Sequence, residues 1–233
     1  HYETLFAGRN FEIIQILDAR SLSEGYNRGF AQTSGDVVIF SHDDIEIASA
    51  QFPARLLSHL VANDVVGIAG TSDLTGVNWN SAGWPRLHGC VAHRLPGDNG
   101  FIVHCFGPPP NAPVQALDGV FIAAKRRVFE SIQFDEATFD GFHLYDLDFT
   151  YRAFLAGFRT TVPWDMLIIH SSSGRLDAEW QKYAQKFSAK YRGQKIVRTV
   201  PPPVSWPFVQ FTDRAQVIEF HRAMAAAQGI GVC

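Results

Sequence analysis

Residues 37–46 read VVIFSHDDIE. Four apolar residues, Val37, Val38, Ile39 and Phe40, run without a break, the habit of a strand buried on both faces in a parallel sheet. The run stops at Ser41, His42, Asp43 and Asp44, with Glu46 just beyond. Ligands of open α/β sheets sit outside the carboxyl ends of strands, so these acids fall where chemistry is usually placed. Unpaired carboxylates are costly to bury. Their oxygens suit a hard divalent cation, Mg²⁺ or Mn²⁺, of the kind that accompanies a diphosphate. The plain alternative for a lone Asp-Asp pair is a turn.

Upstream, residues 11–17 (FEIIQIL) form a second apolar run that ends at Asp18. Residues 19–25 read as a loop, residues 26–33 as a helix, and Gly35-Asp36 as the turn into the central strand. This is a β–loop–α–β unit. Two neighbouring strands then each bring an acid, Asp18 and Asp43/Asp44, to one edge of a sheet.

Downstream, residues 52–62 have the spacing of an amphipathic helix, and residues 65–70 read as a short strand. Residues 71–113 are rich in Gly, Pro, Asn, Trp and His. A stretch this long inside a domain reads as a hairpin-bearing insertion over a site. Its Trp79, Trp84, Phe101 and Phe106 either stack on a sugar or form a satellite core. Residues 117–124 (LDGVFIAA) are a further buried strand, residues 125–130 a short helix, and residues 144–157 carry a helical period.

That last helix holds Asp146 and Asp148, which lie two apart and point in different directions. Asp148 has Arg152 four residues on and reads as a structural ion pair. Asp146 has no such partner and is free to face a cleft, unless it only serves the helix dipole. Residues 158–162 and 166–169 are extended runs. The second ends at His170, again at a strand terminus, followed by Ser171-Ser172-Ser173-Gly174-Arg175. Residues 178–191 form a helix with Trp180, Tyr183 and Phe187 on one face. Residues 201–203 are a proline linker to a strand-like run at 206–211 and a helix at 214–228.

The chain has 233 residues, 46% of them hydrophobic, enough for one sizeable core plus an appendage. We divide it into a domain over 1–195 and an extension over 196–233. A net charge of −3 argues against a nucleic-acid or anionic-membrane partner. Three cysteines, Cys90, Cys105 and Cys233, show no CxxC spacing. They predict neither disulfide framework nor zinc site, and point to a reducing, cytoplasmic setting. No apolar stretch is long enough for a transmembrane segment.

The series YNRGFAQTSGDVVIFSHDD, LDGVFIAAKRRVF, FDGFHLYDLDFTYR and IIHSSSGRLDAEW resembles family 2 glycosyltransferases of the GT-A fold. The match runs over about residues 11–192 and is nearest a bacterial branch with HxD and GFHxYDxD elements. The resemblance implies an α/β fold with a Rossmann-like, mostly parallel central sheet flanked by helices. It implies a metal-dependent inverting glycosyltransferase of hexosyltransferase type, using Mn²⁺ or Mg²⁺. The donor would be a nucleotide-sugar, foremost a UDP-sugar, and the acceptor a glycan or other hydroxyl. Asp146 would be the general base, with His143 as a competitor because Tyr145 stands where many relatives carry Glu. Asp18, Asp43 and Asn27 would bind the donor nucleotide, and Asp44 and His170 the metal. His143, Trp84, Arg175 and Trp180 are the acceptor or sugar candidates.

One departure stands out. The family opens with a strand before residue 11, and residues 1–10 are a poor version of it. Either the sequence starts inside the fold, or the tail at 207–211 fills the gap. The alternative function is a catalytically inactive nucleotide- or glycan-binding module of the same fold. A metal-dependent hydrolase is a further rival.

Overall fold

A computed structural model describes residues 1–106, 110–172, 174, 176–194 and 208–231. In chain order the elements begin with α1 (Tyr2–Leu5), α2 (Leu22–Gln32), β1 (Val37–Ser41), β2 (Ile45–Ile47), α3 (Phe52–Ala62), β3 (Val65–Gly67) and β4 (Ala69–Thr71). Next come β5 (Leu87–Arg94), β6 (Phe101–Cys105), β7 (Ala112–Pro113), β8 (Ala116–Leu117), β9 (Phe121–Lys125), α4 (Arg126–Ser131) and α5 (Tyr145–Leu155). The chain continues with β10 (Thr160–Val162), β11 (Ile168–His170), α6 (Ala178–Lys190), β12 (Val209–Phe211) and α7 (Arg214–Ala227).

The strands form two sheets flanked by helices, the mixed α/β class expected. One sheet has the order β1-β9-β3-β10-β7, and the other β12-β6-β5-β11-β2 with β4 joined to β5 and to β8. The expected mostly parallel pairing needs correction. Among the described residues the parallel pairs are β3 with β10 and β5 with β11. The cause is the long excursion between β4 and β9. It returns the chain at the His42 end of β1, so β9 must run back along β1, Phe121 against Ser41 and Lys125 against Val37.

β1 is a strand, as its apolar run predicts, but it lies at the edge of its sheet among the described residues, pairs antiparallel with β9, and alternates in burial rather than being buried on both faces. Val38 and Phe40 sit in the main core with Phe129, Phe134 and Phe149. Val37 and Ile39 turn to the second cluster, beneath α1 and α3. In α3 the residues Phe52, Leu56 and Leu60 are buried at helical spacing. Each contributes on the order of 1.5–3 kcal/mol of burial.

Four expectations fail. Residues 11–17 form no strand and pair with no strand among the described residues. Phe11, Ile13 and Leu17 lie exposed. α2 starts a turn earlier than expected. Ser21 caps it by accepting from Glu24 N–H, and Glu24 accepts from Arg20 N–H. The tail does not stand in for a first strand. β12 pairs with β6 at the far edge of the second sheet, and α7 packs behind it through Val217. Finally, Cys90 and Cys105 form a disulfide. They stand opposite each other in the β5–β6 ladder, a pairing that only the hairpin register reveals. The disulfide removes the ground on which the cysteine count pointed to a reducing compartment. No helix among the described residues is long and apolar enough to cross a membrane.

Candidate active site

A cavity of about 380 Å³ opens where β1, β5, β6 and β11 meet the start of α5. His42, His93, His104, His170, Asp118 and Asp146 line it, with Trp79 and Trp180 at its sides. The volume is in the range of small-molecule sites.

His42 leaves β1 and His170 ends β11, so two strand termini deliver imidazoles to one point. His42 Nδ1 lies 3.2 Å from His170 Nε2, and His170 Nε2 lies 3.1 Å from Asp44 Oδ1. His42, Asp44 and His170 each offer a ligand atom, all within 4.8 Å of one another. Two imidazoles and a carboxylate are a donor set that fits a divalent transition ion such as Mn²⁺. Burial pushes His170 below the usual histidine range, and the neighbouring His42 and His93 add to this against Asp44. Burial raises Asp44, but a hydrogen bond from Ser172 and the adjoining His170 and His42 outweigh it and hold the carboxyl low. A neutral imidazole and an ionised carboxylate are the forms that ligate. His42 Nε2 in turn lies 3.1 Å from the Tyr145 hydroxyl, which orients the ring from behind.

Asp146 occupies the first turn of α5. Its Oδ2 accepts from Gly119 N–H at 2.7 Å. A Cβ at Gly119 would come within 2.9 Å of that oxygen and 2.5 Å of the Tyr145 hydroxyl, so only glycine permits this approach. Burial, then the charge of Asp118, pushes the Asp146 carboxyl up to about 7, against the backbone N–H bonds that lower it. Asp118 is held by Trp79 Nε1 at 2.7 Å and by Val120 N–H at 2.9 Å. Asp148 points the other way, as expected. It is fully buried and paired with Arg152 at 2.8 Å and Lys190 at 2.6 Å, and it accepts from the Tyr191 hydroxyl.

The structure thus brings His170 and Asp146 to one cavity, with His143 and Trp180 on its lining, and sets Asp44 behind His170 at 3.1 Å, off the lining itself. It does not bring Asp18 there. That side chain is 78% exposed and salt-bridged to Arg28, which holds its carboxyl low. The reason is the missing ladder at residues 11–17, which leaves the acid beyond the sheet edge. Asn27 is not on the lining either. Its amide donates to Phe134 O and accepts from Phe134 N–H, so it pins a loop. Asp43 is exposed and is not among the residues that line the cavity. Trp84 is 70% exposed and off the lining. Trp79 is the tryptophan of the insertion that reaches the cavity, and it packs with Phe106 in a satellite cluster. Arg175 lies outside the described residues.

Sequence reasoning missed His42, His93, His104 and Asp118 as site residues, and left Trp79 between a sugar platform and a satellite core. His42 had a usable signal, since residues two apart in extended chain share a face, which pairs it with Asp44. His93 and His104 become neighbours of the site only through sheet register, and Asp118 only through the turn from β8 to β9. The profile of a glycosyltransferase-like family matches residues 4–191. No curated protein matches the chain. The matched span holds the strand ends, the insertion and the whole of α5, and on it the chain belongs to the glycosyltransferase-like family.

Proposed function

We propose that the chain is a metal-dependent inverting glycosyltransferase that moves a sugar from a UDP-sugar to a hydroxyl acceptor, with Asp146 as general base. The observation that carries this reading is a carboxyl poised near pH 7 in the cavity that His42 and His170 line, with Asp44 completing a His–Asp–His set beside them. A base is most effective when its pKa lies near the working pH.

In the proposed reaction the acceptor oxygen attacks the anomeric carbon as the bond from that carbon to the diphosphate breaks. The acceptor proton goes to the Asp146 carboxylate, and the nucleoside diphosphate leaves. Gly119 N–H fixes the Asp146 carboxylate by holding Oδ2. Tyr145 holds the His42 ring in the orientation that presents Nδ1 to Asp44 and His170. His42, Asp44 and His170 would hold a divalent transition ion such as Mn²⁺ rather than Mg²⁺, since two of the three donors are imidazoles, and the ion would supply positive charge against the departing diphosphate. Trp180 and His143, on the lining beside α5, are candidates to receive the acceptor.

General-base assistance is worth about 10²–10⁴-fold. Asp146→Asn therefore lowers transfer by that factor, measured with a panel of UDP-sugars and Mn²⁺, while UDP affinity holds. Normal turnover in this variant would remove Asp146 from the role. The position of Asp18 outside the cavity favours the alternative, an inactive nucleotide- or glycan-binding module. That reading predicts UDP binding with neither transfer nor slow donor hydrolysis under any panel member.

A further inference from the structure

We propose that His93 recognises a hydroxyl of the nucleotide-sugar donor, accepting its hydrogen bond at Nε2. The assignment rests on the glycosyl-transfer reading and adds to it a residue from the hairpin insertion. β5 runs parallel to β11, and His93 stands level with His170. Their rings are 5.5 Å apart. Adjacent strands are about 4.8 Å apart, so a group attached to whatever sits at His170 comes within reach of His93.

The chemistry of that group follows from the ring's other nitrogen. His93 Nδ1 lies 3.2 Å from the Ser172 carbonyl oxygen. A carbonyl only accepts, so Nδ1 carries a proton, and in the neutral imidazole Nε2 then presents a lone pair. Phosphate oxygens are themselves acceptors and gain nothing from a lone pair. A hydroxyl donates to one. The group recognised is therefore a sugar hydroxyl, on the transferred sugar or on the ribose.

The ring also sits on a firm platform. β5 and β6 form a continuous ladder from Cys90–Cys105 to Arg94–Phe101, and the disulfide closes its base. His104, on the facing strand, packs edge-on against His93 at 5.8 Å. A recognition group works when packing and hydrogen bonds behind it lock its direction. A site that hydrogen-bonds a substrate hydroxyl discriminates strongly against an analogue lacking it.

The test is calorimetry in Mn²⁺ with wild type, His93→Phe and His93→Gln. The ligands are UDP, 2′- and 3′-deoxy-UDP, UDP-glucose, UDP-galactose and UDP-N-acetylglucosamine. His93→Phe is expected to weaken the tightest UDP-sugar at least fivefold. His93→Gln, which keeps an acceptor, recovers most of the loss and separates it from misfolding. If the hydroxyl is on the transferred sugar, UDP affinity is unchanged in His93→Phe. If it is on the ribose, UDP weakens equally and one deoxy-UDP becomes insensitive to the variant. Equal affinities of His93→Phe and wild type for every ligand overturn the assignment. A wild type that binds no nucleotide overturns the glycosyl-transfer reading and this assignment with it.

Discussion

Asp146 and Asp148 are two residues apart and are predicted to respond to neutralisation with opposite signs. Asp146 has its pKa raised to about 7, so the folded protein holds that proton more tightly than the unfolded chain does. Ionising it costs stability, and the cost grows as pH rises from the ordinary carboxylate range through 7. Asp146→Asn is therefore expected to melt higher than wild type at pH 8 and no higher at pH 4, by calorimetry. The same titration should make transfer rise with pH up to about 7 and then level. Asp148 instead anchors Arg152, Lys190 and Tyr191 with no exposure of its own. Removing one member of such a buried set leaves charge uncompensated, at about 3–5 kcal/mol. Asp148→Ala should lose that much in denaturant titration. Helix geometry separates the two, and the fold supplies their surroundings: one side chain meets the cavity and the other the end of α6.

The hairpin of β5 and β6 is the element that finishes the site, and its disulfide closes a separation of 15 residues. A chain-entropy model puts the stabilisation from a loop of that length at about 3 kcal/mol. Cys90→Ser with Cys105→Ser should lower stability by roughly this amount in the absence of reductant. It should match wild type treated with a dithiol, and a stability indifferent to reductant would mean that the thiols are free. The turn from β8 to β9 is the second critical element. Gly119→Ala should depress transfer as severely as Asp146→Asn, because its Cβ would meet the Asp146 and Tyr145 side chains. α3, which contributes no residue to the cavity lining, supplies the control. Leu56→Ala should cost about 2–5 kcal/mol and leave the KM for the donor unchanged.

Across the whole molecule, what the sequence disclosed followed local rules. The apolar run of β1, the period of α3 and the paired directions of Asp146 and Asp148 each need only a few consecutive residues to read. α3 begins and ends where its spacing says. What stayed hidden depended on partners far along the chain. Residues 11–17 have strand composition, yet an apolar run becomes a strand only when another lends it a ladder, and Asp18 goes where that failure leaves it. Cys90 finds Cys105, and His93 finds His170, through register alone. The central claim is that separate strand ends and one helix turn build a single site for a metal-bound nucleotide. Calorimetric titration of UDP, with and without Mn²⁺, tests it most directly. The account predicts binding that requires Mn²⁺, is lost in Asp44→Ala and persists in Asp146→Asn. Equal UDP affinity without metal, or unchanged Mn²⁺-dependent affinity in Asp44→Ala, would contradict it.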